Sequence, residues 1–402
     1  MEPFKLFFSS DFIIKWGFIV SIVLLGCSLY WCAKLYFGKN AAIISLLFYS
    51  VSVVQFLTFT LMYMKNVIGL CLMLFSIGFL KKYELSKRKY YLYSFIILAG
   101  ILGAMHRATF YIFGLSYFFY TFFIAWKEKY DFKKYFTYVL YGVIIIAIAL
   151  LFYIGRFWPA ITTIIAPVAG AFVNTGESPG TFISFFEYQF SSLVYLPFAL
   201  LGIFYSIRKK QINFLFIWLI INAAIVLFQL FFFNRFLIHL DIVLIIFAGL
   251  GANLVIQERK WIGLGVVGLL LIASAYSITQ ESLKSDNQFI KQEDIQLIEE
   301  LGQITESNAI IMSFSSEYSP WILAYSNRTI IAPGLFDENK WDESEWKTFW
   351  TTNETQKTIR LMSRYDTTRP IYLYTGTNIF NNTCFNQFLE KNGRNVYEYN
   401  CQ

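Results

Sequence analysis

The stretch that decides the fold runs from residue 211 to residue 256, QINFLFIWLIINAAIVLFQLFFFNRFLIHLDIVLIIFAGLGANLVI. It contains two apolar runs, and each is long enough, at ~1.5 Å per residue, to cross the ~30 Å hydrocarbon core of a bilayer. Asn234 and Arg235 separate the runs, and His239 and Asp241 follow inside the second. Because ionisable groups are costly inside a membrane, we expect these side chains to face the protein interior or a wet cavity.

Two interpretations of these polar residues are open. In the structural one, Arg235 extends along apolar surface to the lipid headgroups, and Asp241 pairs with a structural partner. In the functional one, Arg235 is a cation at the outer mouth of a cavity, placed to bind a phosphate.

The composition is that of a polytopic membrane protein. Of the 402 residues, 57% are hydrophobic and only 15% are charged, which is not typical of a soluble domain. Lys and Arg are in excess in residues 1–282, whereas Asp and Glu are in excess in residues 283–402. The basic part is membrane-embedded, so its charge indicates topology and not nucleic-acid binding. We therefore predict a multi-span domain over 1–282 and a small domain over 283–402.

The apolar runs predict about ten transmembrane helices. They lie at roughly 13–33, 41–62, 64–80, 90–105, 108–126, 135–155, 190–207, 212–233, 236–256 and 261–279.

The connections between these runs differ in charge, and the difference predicts the orientation of the chain. Every second connection is rich in basic residues, namely Lys34, Lys39, Lys81, Lys82, Lys87, Arg88, Lys89, Lys127, Lys129, Lys133, Lys134, Arg208, Lys209, Lys210, Arg259 and Lys260. Connections rich in Lys and Arg remain in the cytoplasm. We therefore expect an integral protein of the cell membrane with both termini, and the polar tail, outside the cytoplasm.

Few basic residues fall on the predicted outer side, where the positive-inside bias disfavours them. The candidates for binding a lipid phosphate are Arg235 first, then Arg107 and His106, then Arg156 and Lys65. A cation in a cavity just below the interface interacts with phosphate several times more strongly than in water.

The longest outer connection begins at Arg156 and is rich in aromatic residues, Gly and Pro. It is typical of a short interfacial helix followed by a flexible turn. Its acids are Glu177 and Glu187, which join His239 and Asp241 as further cavity candidates. The connection is either an interface anchor or a mobile lid over a lipid-linked substrate.

The polar tail alternates helix and strand patterns. Helices are predicted at 290–303, around Trp321, and at 342–350, 353–365 and 383–391, and strands at 308–314, 329–333, 371–375 and 395–399. This alternation favours a small, mostly parallel α/β sheet. No glycine-rich phosphate loop follows a strand and no metal-ligand cluster is found in the sequence. Cys384 and Cys401 can form a disulfide if the tail is extracytoplasmic.

Three passages carry a resemblance to a known family. They are GFIVSIVLLGCSLYWCAKLYFGKNAAIISLLFYSVSVVQF (17–56), NRFLIHLDIVLIIFAGLG (234–251) and NAIIMSFSSEYSPWILAYSNRTIIAPG (308–334). They resemble the type-C membrane glycosyltransferases, which use lipid-phosphate sugars and include protein mannosyltransferases and aminoarabinose transferases.

The resemblance implies inverting transfer of a sugar from a polyprenyl or dolichyl phosphate to a glycan or protein acceptor at the outer face. A carboxylate deprotonates the acceptor hydroxyl, and cations stabilise the departing phosphate. The family takes that carboxylate from a loop after its first span, and residues 13–33 look like its second span. The resemblance thus implies that this chain lacks the first span and acidic loop, as an N-terminally truncated sequence or as a degenerate or non-catalytic relative. Asp11 is then the candidate base. It implies no tightly bound cofactor, although some relatives use a divalent metal.

Two other functions remain open. A transporter or flippase for a lipid-linked glycan predicts inverted repeats and interrupted helices. A non-catalytic membrane subunit would use the polar tail to bind a partner.

Overall fold

A computed structural model describes residues 10–60, 63–127, 132–153, 183, 185–230, 233–284, 290–333 and 338–401. The chain forms two compact units. One contains residues 11–175 and 182–284, and the other consists mainly of residues 285–402.

Within the described residues, the regular secondary structure of the first unit is all helical. Its helices are α1 (Ser10–Phe37), α2 (Lys39–Ser50), α3 (Val53–Thr60), α4 (Met64–Ser86), α5 (Lys89–Met105), α6 (Arg107–Lys127), α7 (Phe132–Leu151), α8 (Phe185–Ser192), α9 (Leu196–Arg208), α10 (Phe214–Leu227), α11 (Phe233–Glu258) and α12 (Lys260–Lys284).

The prediction of about ten spans is confirmed only in part. Within the described residues, five helices are long and apolar enough to cross a membrane, or six if α2 and α3 form one bent span. Four further apolar helices, within α5, α7, α9 and α10, are 10–17 residues long. At ~1.5 Å per residue such helices fall short of the ~30 Å core. The sequence pattern detects apolar runs but does not fix how many of their residues are helical.

Helix α11 is the centre of the helical unit. In its apolar window 89% of the residues are buried, against 17% in α12. It packs against α2, α9, α10 and α12. A helix that is apolar on all sides is suited to such a central position.

Helices α9 and α11 approach each other backbone to backbone. A Cβ atom at Gly251 would overlap the carbonyl oxygen of Phe198, and one at Gly202 would overlap that of Phe247. Small residues allow this close approach, which membrane helices use because apolar burial alone does not drive their association in lipid.

The span formed by α2 and α3 is broken. The two helices meet at an angle of 50°. Ser52 lies in the break, and its Oγ accepts a hydrogen bond of 3.3 Å from the backbone N–H of Gln55. This bond satisfies one of the donors left open at the start of α3.

The second unit contains a five-stranded sheet with flanking helices. Its elements are α13 (Gln292–Ile304), β1 (Ile310–Ser313), α14 (Ser319–Tyr325), β2 (Thr329–Ile331), α15 (Glu343–Thr351), α16 (Thr355–Met362), β3 (Ile371–Gly376), β4 (Phe385–Lys391) and β5 (Arg394–Tyr399). The strand order is β2-β1-β3-β5-β4. The strands β2, β1 and β3 pair parallel, whereas β3, β5 and β4 pair antiparallel. The sheet is therefore mixed and not mostly parallel.

The prediction of a helix at 383–391 is wrong. These residues form strand β4, which pairs with β5 through a hairpin. The two turn residues, Asn392 and Gly393, have φ values of +51° and +72°. An Asn-Gly pair adopts such angles readily and specifies a two-residue hairpin. This turn signal is visible in the sequence, and it is a better guide to the structure of residues 383–391 than the pattern that predicted a helix there.

Hydrophobic side chains and a disulfide stabilise the second unit. Trp346 and Phe349 belong to one buried cluster, and Leu297 and Ile298 to another. Cys384 and Cys401 are disulfide-bonded, with their Cα atoms 4.9 Å apart.

A buried ionic group also lies in this unit, around Asp294. This carboxylate accepts hydrogen bonds from Tyr374 OH at 2.7 Å and Arg394 Nε at 3.1 Å. Burial, and then the bond to Asp294, raises the pKa of Tyr374 well above its ordinary value. The group joins α13 to strands β3 and β5.

Candidate functional site

Three of the basic residues singled out in the sequence come together at helix ends. Lys65 lies in the first turn of α4, His106 lies between α5 and α6, and Arg235 lies in the first turn of α11. The charges of Arg235 and Lys65 lie close enough to act on the His106 imidazole, and Tyr63 lies within electrostatic range of Arg235. Arg235 and His106 are half-buried, and Lys65 is exposed. We call Lys65, His106 and Arg235 the basic cluster.

Arg107 follows His106 in the chain but has a different neighbour. Its guanidinium carbon lies 5.2 Å from the centre of the Tyr153 ring, within cation–π range. The Tyr153 hydroxyl in turn donates a 3.0 Å hydrogen bond to the carbonyl of Gly103.

Four other candidates have no described side chain. Arg156 and Glu177 lie outside the described residues. Asp11 lies in α1 and Glu187 in α8, but their side chains are outside the described part of the chain.

A buried threonine links the basic cluster to His239. The Thr109 hydroxyl lies 2.7 Å from Nδ1 of His106 and 3.1 Å from Nε2 of His239. Thr109 is 0% exposed and His239 is 1% exposed. The His239 ring lies against Phe236 and Trp218, with ring centres 5.7 and 6.3 Å apart. His239 is therefore a buried core residue, and the Thr109 hydroxyl connects it by hydrogen bonds to His106 of the basic cluster.

Asp241 lies in a separate buried cluster. Its Oδ2 accepts hydrogen bonds from Ser52 Oγ at 3.0 Å and Gln55 Nε2 at 2.7 Å, and its Oδ1 accepts one from the Tyr195 hydroxyl. Asp241 is 0% exposed. Its three donors are uncharged, and two of them flank the break between α2 and α3. This arrangement supports the structural interpretation of Asp241 as the group that holds the broken span against α11.

The sequence reading missed the uncharged members of both clusters. Thr109, Ser52, Gln55 and Tyr195 are polar residues in apolar surroundings. Such residues are common in membrane helices, where they bond to their own backbone or across helices. These four differ from other polar residues in the helices only in having a hydrogen-bond partner that is distant in the sequence.

The arrangement suits the binding of an anion. It combines a half-buried guanidinium, an ammonium and an imidazole at one end of a helical bundle, where a phosphate gains charge-assisted hydrogen bonds. Among the described residues, no group of three His, Cys, Asp or Glu side chains is placed to bind a metal.

Comparison with known proteins supports the same family as the sequence resemblance. The family model for dolichyl-phosphate-mannose-protein mannosyltransferase matches residues 3–153, a range that includes Lys65 and His106. No curated protein sequence matches the chain.

Two solved structures share the fold at low sequence identity. The oligosaccharyltransferase AglB from Archaeoglobus fulgidus, in complex with an inhibitory peptide and a dolichol-phosphate, has a TM-score of 0.56 and 14% identity, over 91% of this chain and 58% of that one. ArnT from Cupriavidus metallidurans, bound to undecaprenyl phosphate, has a TM-score of 0.58 and 10% identity, over 98% of this chain and 85% of that one. The chain thus spans little more than half the length of AglB. The resemblance found in the sequence is confirmed, and the chain has the fold of the type-C membrane glycosyltransferases.

Proposed function

We propose that the chain is a membrane glycosyltransferase that takes a sugar from a polyprenyl or dolichyl phosphate and transfers it to a glycan or protein acceptor. The observation that carries the proposal is the basic cluster. Residues 65, 106 and 235 are far apart in the chain, yet Lys65 and Arg235 both lie within electrostatic range of the His106 ring. Structures of this fold that contain a dolichol-phosphate or undecaprenyl phosphate support a lipid phosphate as the ligand.

In this proposal the basic cluster stabilises the leaving phosphate. Negative charge grows on the phosphate as the bond to the sugar breaks, so cations fixed beforehand lower the barrier. Arg235 presents a planar fork of donors that matches two phosphate oxygens, and Lys65 adds a point charge. Arg107 and Arg156 are the further candidates for contacts with the phosphate.

The acceptor hydroxyl must lose a proton as it attacks the anomeric carbon, which requires a carboxylate within hydrogen-bond reach. Asp11 is the first candidate for this base. Glu177 and Glu187 are the next, because both belong to the long connection that sequence analysis places on the outer side.

Substitution of Arg235 tests the proposed site. Arg235→Ala is expected to weaken binding of undecaprenyl phosphate about 10–100-fold, since a charge-assisted hydrogen bond contributes about 1.5–3 kcal/mol. Arg235→Lys should keep part of the affinity, because a point charge replaces the fork. Binding is measured on purified protein in detergent.

The matched control is Arg208→Ala, which removes an exposed arginine from the last turn of α9 and should leave the affinity unchanged. Wild-type affinity in both Arg235 variants would assign this residue to the lipid headgroups instead.

A transporter of lipid-linked glycans is the second candidate function, favoured by the broken span of α2 and α3. The two functions differ in what happens to the donor. With a radiolabelled polyprenyl-phosphate sugar and an acceptor, a transferase releases lipid phosphate, whereas a transporter moves the donor across a vesicle membrane intact. Movement without release would reject the transferase.

The side of the membrane on which the reaction takes place depends on the topology of the chain. We propose that the second unit lies outside the cytoplasm. The disulfide between Cys384 and Cys401 supports this, since disulfides persist in oxidising compartments. A reporter that is active only in the cytoplasm should therefore be silent when fused after Gln402. The same reporter inserted after Lys209, in a predicted cytoplasmic connection, should be active. The reverse pattern would contradict the orientation.

A further inference from the structure

We propose that Thr109 is a positioning residue that fixes the imidazole of His106 so that its Nε2–H group is the donor offered to the lipid phosphate. This inference rests on the proposed function, because it assumes that the basic cluster binds the phosphate. It explains how a neutral histidine can contribute to phosphate binding next to two cations.

The hydrogen bonds determine where the proton of His106 lies. The backbone N–H of Thr109 donates to Nδ1 of His106 at 3.3 Å. A ring nitrogen that accepts a hydrogen bond carries no proton, so His106 is neutral and its proton is on Nε2. The Thr109 hydroxyl, 2.7 Å from the same nitrogen, must then donate to it as well.

The direction of the Thr109 hydroxyl determines which ring nitrogen of His239 carries the proton. The hydroxyl proton is used toward His106, so the hydroxyl oxygen accepts from Nε2–H of His239 at 3.1 Å. Nδ1 of His239 is then an acceptor, and among the described residues it has no hydrogen-bond partner. The result is a directed chain from His239 through Thr109 to His106, in which both rings carry their proton on Nε2.

Packing holds this chain in place. A Cβ atom added at Gly69 of α4 would lie 3.0 Å from Cβ of His106 and 3.1 Å from Oγ1 of Thr109. The bare backbone of Gly69 thus lies against both residues and limits their movement. A fixed ring matters because a donor stabilises a developing charge best when it needs no reorganisation.

The fixed ring determines which group His106 can offer to a ligand. With Nδ1 occupied by two donors, Nε2–H is the ring group that His106 can offer to a ligand. Lys65 and Arg235 lie within electrostatic range of the same ring. A phosphate oxygen bound by these cations is the acceptor that this donor suits.

The two histidines of the chain allow a direct test, because the sequence contains no others. Protein labelled with ¹⁵N only in histidine gives signals from His106 and His239, and protonated and unprotonated ring nitrogens resonate in separate ranges. A His239→Gln variant assigns them. In the wild-type protein, we expect Nδ1 of His106 to be unprotonated, and its Nε2 signal to shift when undecaprenyl phosphate is added. Undecaprenol, which lacks the phosphate, should not cause the shift.

Thr109 variants separate positioning from a structural role. Thr109→Ser keeps the hydroxyl and should behave as the wild type in both signal and affinity. Thr109→Val removes the stronger of the two donors to Nδ1, so we expect a mixture of His106 protonation sites and affinity for undecaprenyl phosphate that is about 5–10-fold weaker.

The outcomes distinguish the inference from the function on which it rests. If the wild type binds undecaprenyl phosphate and Arg235→Ala binds it about 10–100-fold more weakly, the phosphate site on which the inference rests stands. Wild-type affinity and signals in Thr109→Val would then overturn the role of Thr109 alone. A wild-type His106 protonated at Nδ1 would also overturn it, and this measurement does not require the Val variant to fold. Absence of binding by the wild type would instead reject the proposed function.

Discussion

Gly251→Ala is expected to prevent stable folding of the helical unit. The added Cβ would overlap the carbonyl oxygen of Phe198. A backbone atom cannot move away by changing rotamer, so α9 and α11 must separate along their whole contact. Overpacking costs about 1–3 kcal/mol where side chains can adjust, and we expect at least the upper value here. The measurement is the yield of monodisperse protein in detergent and its thermal unfolding midpoint.

The chain offers a matched control for this substitution. Gly265 lies in α12, and a Cβ atom there would meet no atom within 4 Å. Gly265→Ala should therefore leave the midpoint unchanged or raise it, since Ala exceeds Gly in helix propensity by about 1 kcal/mol. Equal midpoints for the two variants would show that α9 and α11 are not in backbone contact.

Asp241→Leu is expected to destabilise the same unit by about 3 kcal/mol or more, because it removes the acceptor of three buried donors. The substitution leaves the hydroxyls of Ser52 and Tyr195 and the amide of Gln55 without their acceptor. Each buried donor left unpaired costs about 1–3 kcal/mol. Asp241→Asn should be milder, because one acceptor oxygen remains. Thermal unfolding in detergent ranks the stability of the wild type, Asp241→Asn and Asp241→Leu.

Tyr195→Phe is the control, since it removes a single donor from the same carboxylate and should cost about 1 kcal/mol. The comparison also separates a structural role of Asp241 from a role in the cavity, for which the sequence made it a candidate. If Asp241→Asn folds with the wild-type midpoint but no longer releases lipid phosphate from the donor, Asp241 acts in the chemistry. Loss of stability with the donor site intact supports the structural role.

The sequence was sufficient for the class of protein and led to the residues of the basic cluster. The apolar run at 236–256 predicted a membrane helix, and the lack of a polar face fits the burial of α11. The rarity of basic residues on the predicted outer side led to Lys65, His106 and Arg235. Their common position fits the predicted topology, because every second connection between spanning helices lies on the same side of the membrane.

The polar tail was predicted well where local pattern decides structure. Four of its strands and the helix that became α13 lie close to their predicted positions. The hairpin of β4 and β5 was missed, although its Asn392-Gly393 turn is a local signal. Pairing of β5 with β3, which makes the sheet mixed, depends on contacts across the chain.

Only the tertiary structure decided what the two polar residues of the central helix do. His239 and Asp241 are two residues apart, and a helix turns about 100° per residue, so their side chains face nearly opposite directions. His239 meets Thr109, which lies 130 residues away, and Asp241 meets Ser52, which lies 189 residues away. A hydrogen bond over such a separation leaves no periodic trace in the sequence. It exists because packing of the apolar faces brings the two helices together, and only then does each buried polar group acquire its partner.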